Sequence, residues 1–239
     1  MTAVLAERLL EADVYFDVEV VDLLSVENSV GAYGGTILPV EELRGVRALT
    51  DAAGVPVHMD GARIWNAVVQ SGEEVTSWTS QVDTMMFCLS KGLGAPIGSV
   101  LCGPADLIQE ARRIWILYGG AWRQAGIMAA AGLVALDTGR ERLVEDHVRA
   151  RRLAEAVAEL LPGSVALDRV VTNMVFVDTE AVGLRPDEVV DRLAAAGVGA
   201  VPVPAGVRMV THVDVDDQGI ATAIDAWRSI AVDAAKEAS

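Results

Sequence analysis

Residues 55–103 read VPVHMDGARIWNAVVQSGEEVTSWTSQVDTMMFCLSKGLGAPIGSVLCG. Two short apolar runs in this stretch each lead into one charged residue: VPVHM into Asp60, and DTMMFCLS into Lys91. Apolar runs of about four to eight residues, bounded by Gly, Pro and polar residues, suit strands of a buried parallel sheet. Between them GARIWNAVVQSG has helical spacing, with Arg63 in its first turn. The 31-residue step from Asp60 to Lys91 is what one strand–helix–strand unit needs. Both charges then stand at carboxyl ends of parallel strands, the edge at which open α/β sheets bind ligands.

A carboxylate and an amine at that edge match the needs of pyridoxal phosphate (PLP). The cofactor takes a lysine amine for its Schiff base and a carboxylate against its pyridine nitrogen. Of 19 basic residues only Lys91 and Lys236 are lysines, and Lys236 lies in the polar tail AAKEAS. The chain uses arginine wherever it needs only charge, which singles out Lys91. The glycines of KGLGAPIGSVLCG let backbone pass close to a ligand before a return strand, and the Ser90 hydroxyl can reach a phosphate.

Upstream, residues 3–11 read as a short helix and 18–28 as a strand ending at Glu27 and Asn28. GAYGGTILP (31–39) is a glycine-rich turn without the G-x-G-x-x-G dinucleotide pattern. Pro39 then opens a helix with acids in its first turn and Gly54 at its end. His58 alternates with Val57 and Met59, so it faces the other side of its strand, as a structural histidine. Cys88 and Cys102 lack metal or redox spacing and read as small core hydrophobes.

Downstream, residues 104–137 read as two helices around the Gly119–Gly120 loop, and composition changes near 138. TGRERLVEDHVRARRLAEAVAELLPG is a charged amphipathic surface helix, with His147 expected in solvent. A strand (VTNMVFVDT), a helix (LRPDEVVDRLAAAG), two short strands (GAVPVP and GVRMVTHVD) and a last helix follow. Arg208 alternates within the apolar V-R-M-V-T-H strand, where a buried guanidinium needs an anion, either a structural carboxylate or a ligand. His212 is expected to pack or cap locally.

HMDGARIWNA, CLSKGLGAPIGSVLCG and GGAWRQAG, in that order, resemble the threonine aldolase / β-eliminating lyase family, over nearly the whole chain. The resemblance implies the α/β aspartate-aminotransferase fold, PLP-dependent fold type I. Residues 1–137 would be a PLP-binding large domain lacking its N-terminal part, with a mostly parallel sheet. Residues 138–239 would be a small C-terminal α+β domain.

The resemblance also implies PLP held by Lys91, Asp60, Arg63, Ser90 and Arg123, with Lys91 and Asp60 catalytic. It assigns the substrate amino acid to Arg208, Arg63 and Asn28, Arg208 taking the α-carboxylate in a bidentate fork. The implied reaction is cleavage of the Cα–Cβ bond of a β-hydroxy amino acid to glycine and an aldehyde. Val30 stands near the place of a family histidine, and valine can neither donate nor accept a proton. A related aldol transfer, β-elimination or proton exchange therefore stays open. The aromatic Tyr118 and Trp122 depart from the family's smaller residues and suit an interface.

The family's chains extend further at the N-terminus, where a Gly/Ser/Thr-rich backbone nest grips the cofactor phosphate. Nothing in these 239 residues replaces it, so a separately encoded partner completing a split enzyme is expected, in a homo- or hetero-oligomer. A truncated gene product fits the same residues, as does a non-catalytic or decayed subunit that stabilises an oligomer.

A nucleotide-binding domain fits poorly without a phosphate loop. A net charge of −15 argues against nucleic acid and anionic membranes as partners. The apolar fraction is 52%, yet no run approaches the roughly 20 residues that span a bilayer. No basic n-region opens the sequence, which places the expected location in the cytoplasm. No metal is expected.

Overall fold

The computed structural model describes residues 2–10 and 21–237. The chain divides into two compact units: Met1–Val30 with Ile37–Arg140, and Gly31–Thr36 with Glu141–Ser239.

The first unit contains α1 (Ala3–Leu10), β1 (Leu24–Glu27), α2 (Val40–Ala53), β2 (Val57–Asp60), α3 (Ile64–Ser71), α4 (Val75–Thr79), β3 (Thr84–Cys88), β4 (Ser99–Cys102), α5 (Ala105–Leu117) and the start of α6 (Gly126–Leu160). Its sheet runs β1-β2-β3-β4. The first three strands are parallel and β4 returns antiparallel to β3. The strand expected over 18–28 is shorter: only 24–27 are extended, and 18–20 lie outside the described residues. As expected, α2 begins after Pro39, carries Glu41 and Glu42 in its first turn, and ends at Gly54 with φ 68°.

Burial alternates along the strands. Leu24, Val26, Val57, Met59, Met85 and Phe87 pack into one core, with Leu43, Val46, Ile64 and Trp78 from the covering helices. Their neighbours Glu27, His58, Asp60, Met86 and Cys88 are half-buried on the other face. The expected sheet buried on both faces is therefore corrected to one with a single closed face. Trp78 is anchored by its indole N–H, which donates to the Leu38 carbonyl at 2.9 Å. His58 does stand on the face opposite Val57 and Met59, its Nδ1 2.8 Å from the Thr84 hydroxyl. The two cysteines are not core residues: Cys88 is half-buried on the open face and Cys102 is exposed on the edge strand β4.

The change in composition near 138 does not break the helix. α6 is continuous from 126 to 160, a 35-residue element. A lone glycine such as Gly139 costs a helix only about 1 kcal/mol, which packing readily offsets.

The second unit contains the remainder of α6, then β5 (Met174–Asp178), α7 (Pro186–Ala195), β6 (Val201–Val203), β7 (Gly206–Val210) and α8 (Asp217–Glu237). These are the elements expected from sequence, folded as an antiparallel sheet in the order β5-β7-β6. Val175, Val177, Val207 and Met209 join Leu153, Val157, Leu193 and Trp227 in its core. His147 is corrected: it is buried at 7% exposure, and burial pushes its pKa down to about 4. The reason is periodic. Leu143, Asp146, His147, Ala150, Leu153, Ala154 and Val157 are all buried, and they recur at the three- and four-residue spacing of one helix face.

The turn Gly31–Thr36 belongs to this second unit. Thr172 donates its hydroxyl to the Gly35 carbonyl at 3.0 Å, and a Cβ on Gly35 would overlap that same hydroxyl oxygen. Gly34 and Gly35 both have positive φ, and the glycines are required by this close seating.

Among the described residues no helix is long and apolar enough to cross a membrane. Among these residues, too, no group of three or more His, Cys, Asp or Glu side chains is placed to hold a metal ion.

Candidate active site

The parallel register places Glu27 beside Asp60 and Asp60 beside Met86; β1 and β2 end there, and β3 runs two residues further to Cys88. Hydrogen bonding continues past these ends. The Asn28 N–H donates to the Asp60 carbonyl at 2.9 Å, and the Gly61 N–H donates to the Met86 carbonyl at 2.8 Å. Asp60 is thus held from both flanking strands. Its Oδ1 accepts the Ala62 N–H at 2.9 Å, which orients the carboxylate where the chain turns towards α3. Gly61 is required there, because a Cβ would come within 2.8 Å of the Met86 carbonyl oxygen.

Lys91 lies three residues beyond β3, not at its last position as the sequence suggests. The strand stops at Cys88, and the turn that follows is closed by its own backbone. Leu89 and Ser90 N–H both donate to the Gly98 carbonyl, at 2.9 and 3.2 Å. The Ala95 N–H donates to Leu89 at 3.0 Å, and the Gly94 N–H to Lys91 at 2.9 Å. Leu93 and Ala95 are buried beneath the turn, while Lys91 is exposed. Its amine has no hydrogen-bond or ion-pair partner among the described residues. The backbone is fixed and the amine is uncommitted.

Arg63 occupies the N-cap position of α3, half-buried. Asn28 is fully buried. Its Oδ1 accepts the Leu38 N–H at 3.1 Å, while its Nδ2 has no partner. The neighbouring Ser29, 3% exposed, also has a buried hydroxyl without a partner. The sequence carried no signal for Ser29, since a serine after a strand is ordinary turn chemistry. Buried polar atoms without partners are uncommon and call for a specific cause.

Asn28, Asp60, Arg63, Ser90 and Lys91 therefore all lie in the chain just at or beyond the carboxyl ends of β1, β2 and β3. Arg123 is not drawn in by any bond. It is exposed in the turn before α6, without a hydrogen bond or ion pair among the described residues. Arg208 belongs to the second unit, on β7, paired in register with Phe176 and Val201. It is half-buried, its Nε is buried without a hydrogen bond, and no carboxylate pairs with it among the described residues. A structural ion pair, one of the two expectations for Arg208, is not what the fold contains. His212 does cap locally, its Nδ1 accepting the Asp214 N–H at 3.3 Å.

The edge fits PLP on the chemistry of its groups. It offers a free amine, a carboxylate with one oxygen still open, and unpartnered donors on Asn28 and Ser29.

The family model described as "Beta-eliminating lyase" matches residues 2–181. The low specificity L-threonine aldolase of Escherichia coli K12 is 39% identical over 216 residues, covering 87% of this chain and 60% of that protein. Among solved structures, a Leishmania major threonine aldolase superposes with a TM-score of 0.77 at 16% identity, covering 97% of this chain and 67% of that one. A putative L-allo-threonine aldolase from Listeria monocytogenes gives 0.70 at 19% identity, covering 90% and 63%. The chain spans 50% to 60% of the length of the curated relatives it matches over more than 200 residues.

Proposed function

This chain belongs to the beta-eliminating lyase family, and from that premise we propose that it forms part of a PLP-dependent lyase of the threonine aldolase type. Its fold is the α/β fold of the PLP-dependent fold type I enzymes, as the sequence implies. The substrate is a β-hydroxy amino acid, cleaved between Cα and Cβ to glycine and an aldehyde, or passed on in a related aldol-type transfer. The observation that supports this reading is Asp60 at the carboxyl end of β2 together with an uncommitted Lys91 in the turn that follows the adjacent parallel strand β3.

Lys91 would hold the cofactor through its amine, and Asp60 would keep a proton on the pyridine nitrogen. When bound, PLP supplies a ring that accepts the electron pair left on Cα. Arg208 would grip the α-carboxylate with two parallel N–H donors, supported by Arg63 and Asn28. Ser90 and Arg123 would contact the phosphate. In the cleavage, the β-hydroxyl proton leaves, the Cα–Cβ bond breaks, and Cα takes a proton. Val30 supplies no base for the first of these transfers. Lys91 would move the proton at Cα.

The remaining share of the fold comes from a second chain in a split enzyme. Two things support this reading: the open face of the first sheet, and exposed apolar residues such as Leu117, Tyr118, Ile127 and Leu133, each more than 65% exposed. Monomers rarely leave so much apolar surface in contact with water. The net charge of −15 suits a cytoplasmic enzyme.

The test is a visible spectrum of the chain with PLP, alone and with a co-expressed partner, followed by borohydride reduction and peptide mapping. Label on the peptide containing Lys91 is expected. Label on Lys236, or none with the partner present, overturns the mechanism and favours a non-catalytic subunit. Full activity from this chain alone overturns the split.

A further inference from the structure

The second unit contains a cleft of about 270 Å³. Met174 and Phe176 of β5 and Val203 of β6 form its apolar part, and Tyr33, in the glycine turn, stands at its mouth. Lys91 and Asp60 do not line it.

Three polar groups on its walls are uncommitted. Ser164 is 4% exposed, and its hydroxyl is buried without a hydrogen-bond partner. Arg169 is exposed and has no acidic partner among the described residues. That is unusual in this unit, where Arg142 pairs with Asp146, Arg149 with Asp217 and Arg228 with Asp225. In a chain of net charge −15, a guanidinium that meets no carboxylate is available to an outside anion. Asp178 is the third. One of its oxygens accepts the Glu180 N–H at 2.8 Å, and the other has no hydrogen bond among the described residues.

A cation, an anion and an apolar recess on one small cleft are complementary to a zwitterion with an apolar tail. We propose that this cleft binds a free α-amino acid with an apolar side chain: carboxylate on Arg169, ammonium on Asp178, side chain between Met174, Phe176 and Val203. Ser164 rotates its hydroxyl to donate to the same carboxylate. A simple fatty acid meets only one of the two charges and is repelled by the acidic chain. At about 30 Å³ per water, the cleft holds about nine waters, close to the heavy-atom count of leucine. None of the residues proposed for the lyase site lines the cleft, and the proposal does not rest on the lyase reading. It gives an enzyme of amino acid metabolism a second place to sense an amino acid.

The experiment uses the full chain in the assembly in which it purifies, carrying Lys91→Ala and Arg208→Ala so that no signal comes from the proposed catalytic groups. L-leucine is titrated while the Met174 methyl resonance and the heat of binding are followed. Saturable binding with a shifted Met174 methyl is expected. 4-Methylpentanoate, which lacks the ammonium, and isoamylamine, which lacks the carboxylate, should each bind at least about tenfold more weakly, the scale of one charge-assisted hydrogen bond. Arg169→Ala should weaken leucine by about the same factor, and Val203→Trp should abolish binding by filling the recess. No Met174 shift with leucine, or equal binding of leucine and isoamylamine, overturns the proposal. The analogue series needs no change in the cleft, so it decides the matter even if a cleft variant fails to fold.

Discussion

A Cβ on Gly139 would lie 2.5 Å from the carbonyl oxygen of Leu93, two residues beyond Lys91. The long helix α6 thus rests directly on the turn that carries the proposed nucleophile. A backbone oxygen cannot give way as a side-chain tip can. Gly139→Ala should therefore displace the turn and cost about 1–3 kcal/mol, the usual scale of overpacking, despite alanine's better helix propensity. Gly126→Ala on the same helix meets nothing within 4 Å and should be neutral or stabilising. Urea denaturation of both variants, with the PLP absorbance of each, makes the comparison. Equal stability of the two would remove the contact from the account.

Arg208 meets no carboxylate among the described residues, and the proposed reading gives its guanidinium to the substrate carboxylate. Arg208→Lys preserves charge but loses the planar fork. The substrate KM should rise at least about tenfold while PLP absorbance at Lys91 is unchanged, on the scale of a charged hydrogen bond. Steady-state kinetics of the assembled enzyme, set beside its visible spectrum, separates this from a general loss of structure. A variant with unchanged KM would place the carboxylate elsewhere.

Asp146 is fully buried and held by Arg142, whose Nη2 lies 2.8 and 2.7 Å from its two oxygens. Removing only the cation strands a buried carboxylate. Arg142→Met should cost about 3–5 kcal/mol, and adding Asp146→Leu should recover much of the loss. The double-mutant cycle, read from urea midpoints, would contradict the ion-pair account if the double variant were no more stable than Arg142→Met.

His147 binds a proton more readily unfolded, near its ordinary 6.5, than folded, at about 4. Its contribution is therefore fully present above pH 6.5 and is lost as pH falls towards 4, by about 3 kcal/mol in all. Asp146 acts in the opposite direction: burial raises its pKa, so it favours the folded state as pH falls. His147→Leu should flatten the fall in stability between pH 6.5 and 4.5 while Asp146 remains. Parent and variant titrated in parallel provide the check, and identical pH profiles would count against the assignment.

Much of this organisation is readable from the chain alone, because it depends on neighbours in sequence. Apolar runs ending in Asp60, the turn glycines around Lys91, and the acids and Gly54 bounding α2 are local signals with local causes. So are the order of elements after 163 and the alternation that sets His58 opposite Met59. His147 was also legible, since it falls on the stripe that includes Leu143, Ala150 and Ala154, but the charges around it suggested a solvated helix.

Other features depend on what distant segments bring together. Whether a strand is covered on one face or two is decided by which helices pack there, and Cys88 and Cys102 lost their expected burial for that reason. The turn at 31–36 packs with residues 137 positions away, and no local pattern encodes that partner. Arg208 and Arg169 read like any other arginines. Only the folded surroundings show that carboxylates reach most arginines of their unit and leave these two free, because burial and pairing are properties of a neighbourhood in space.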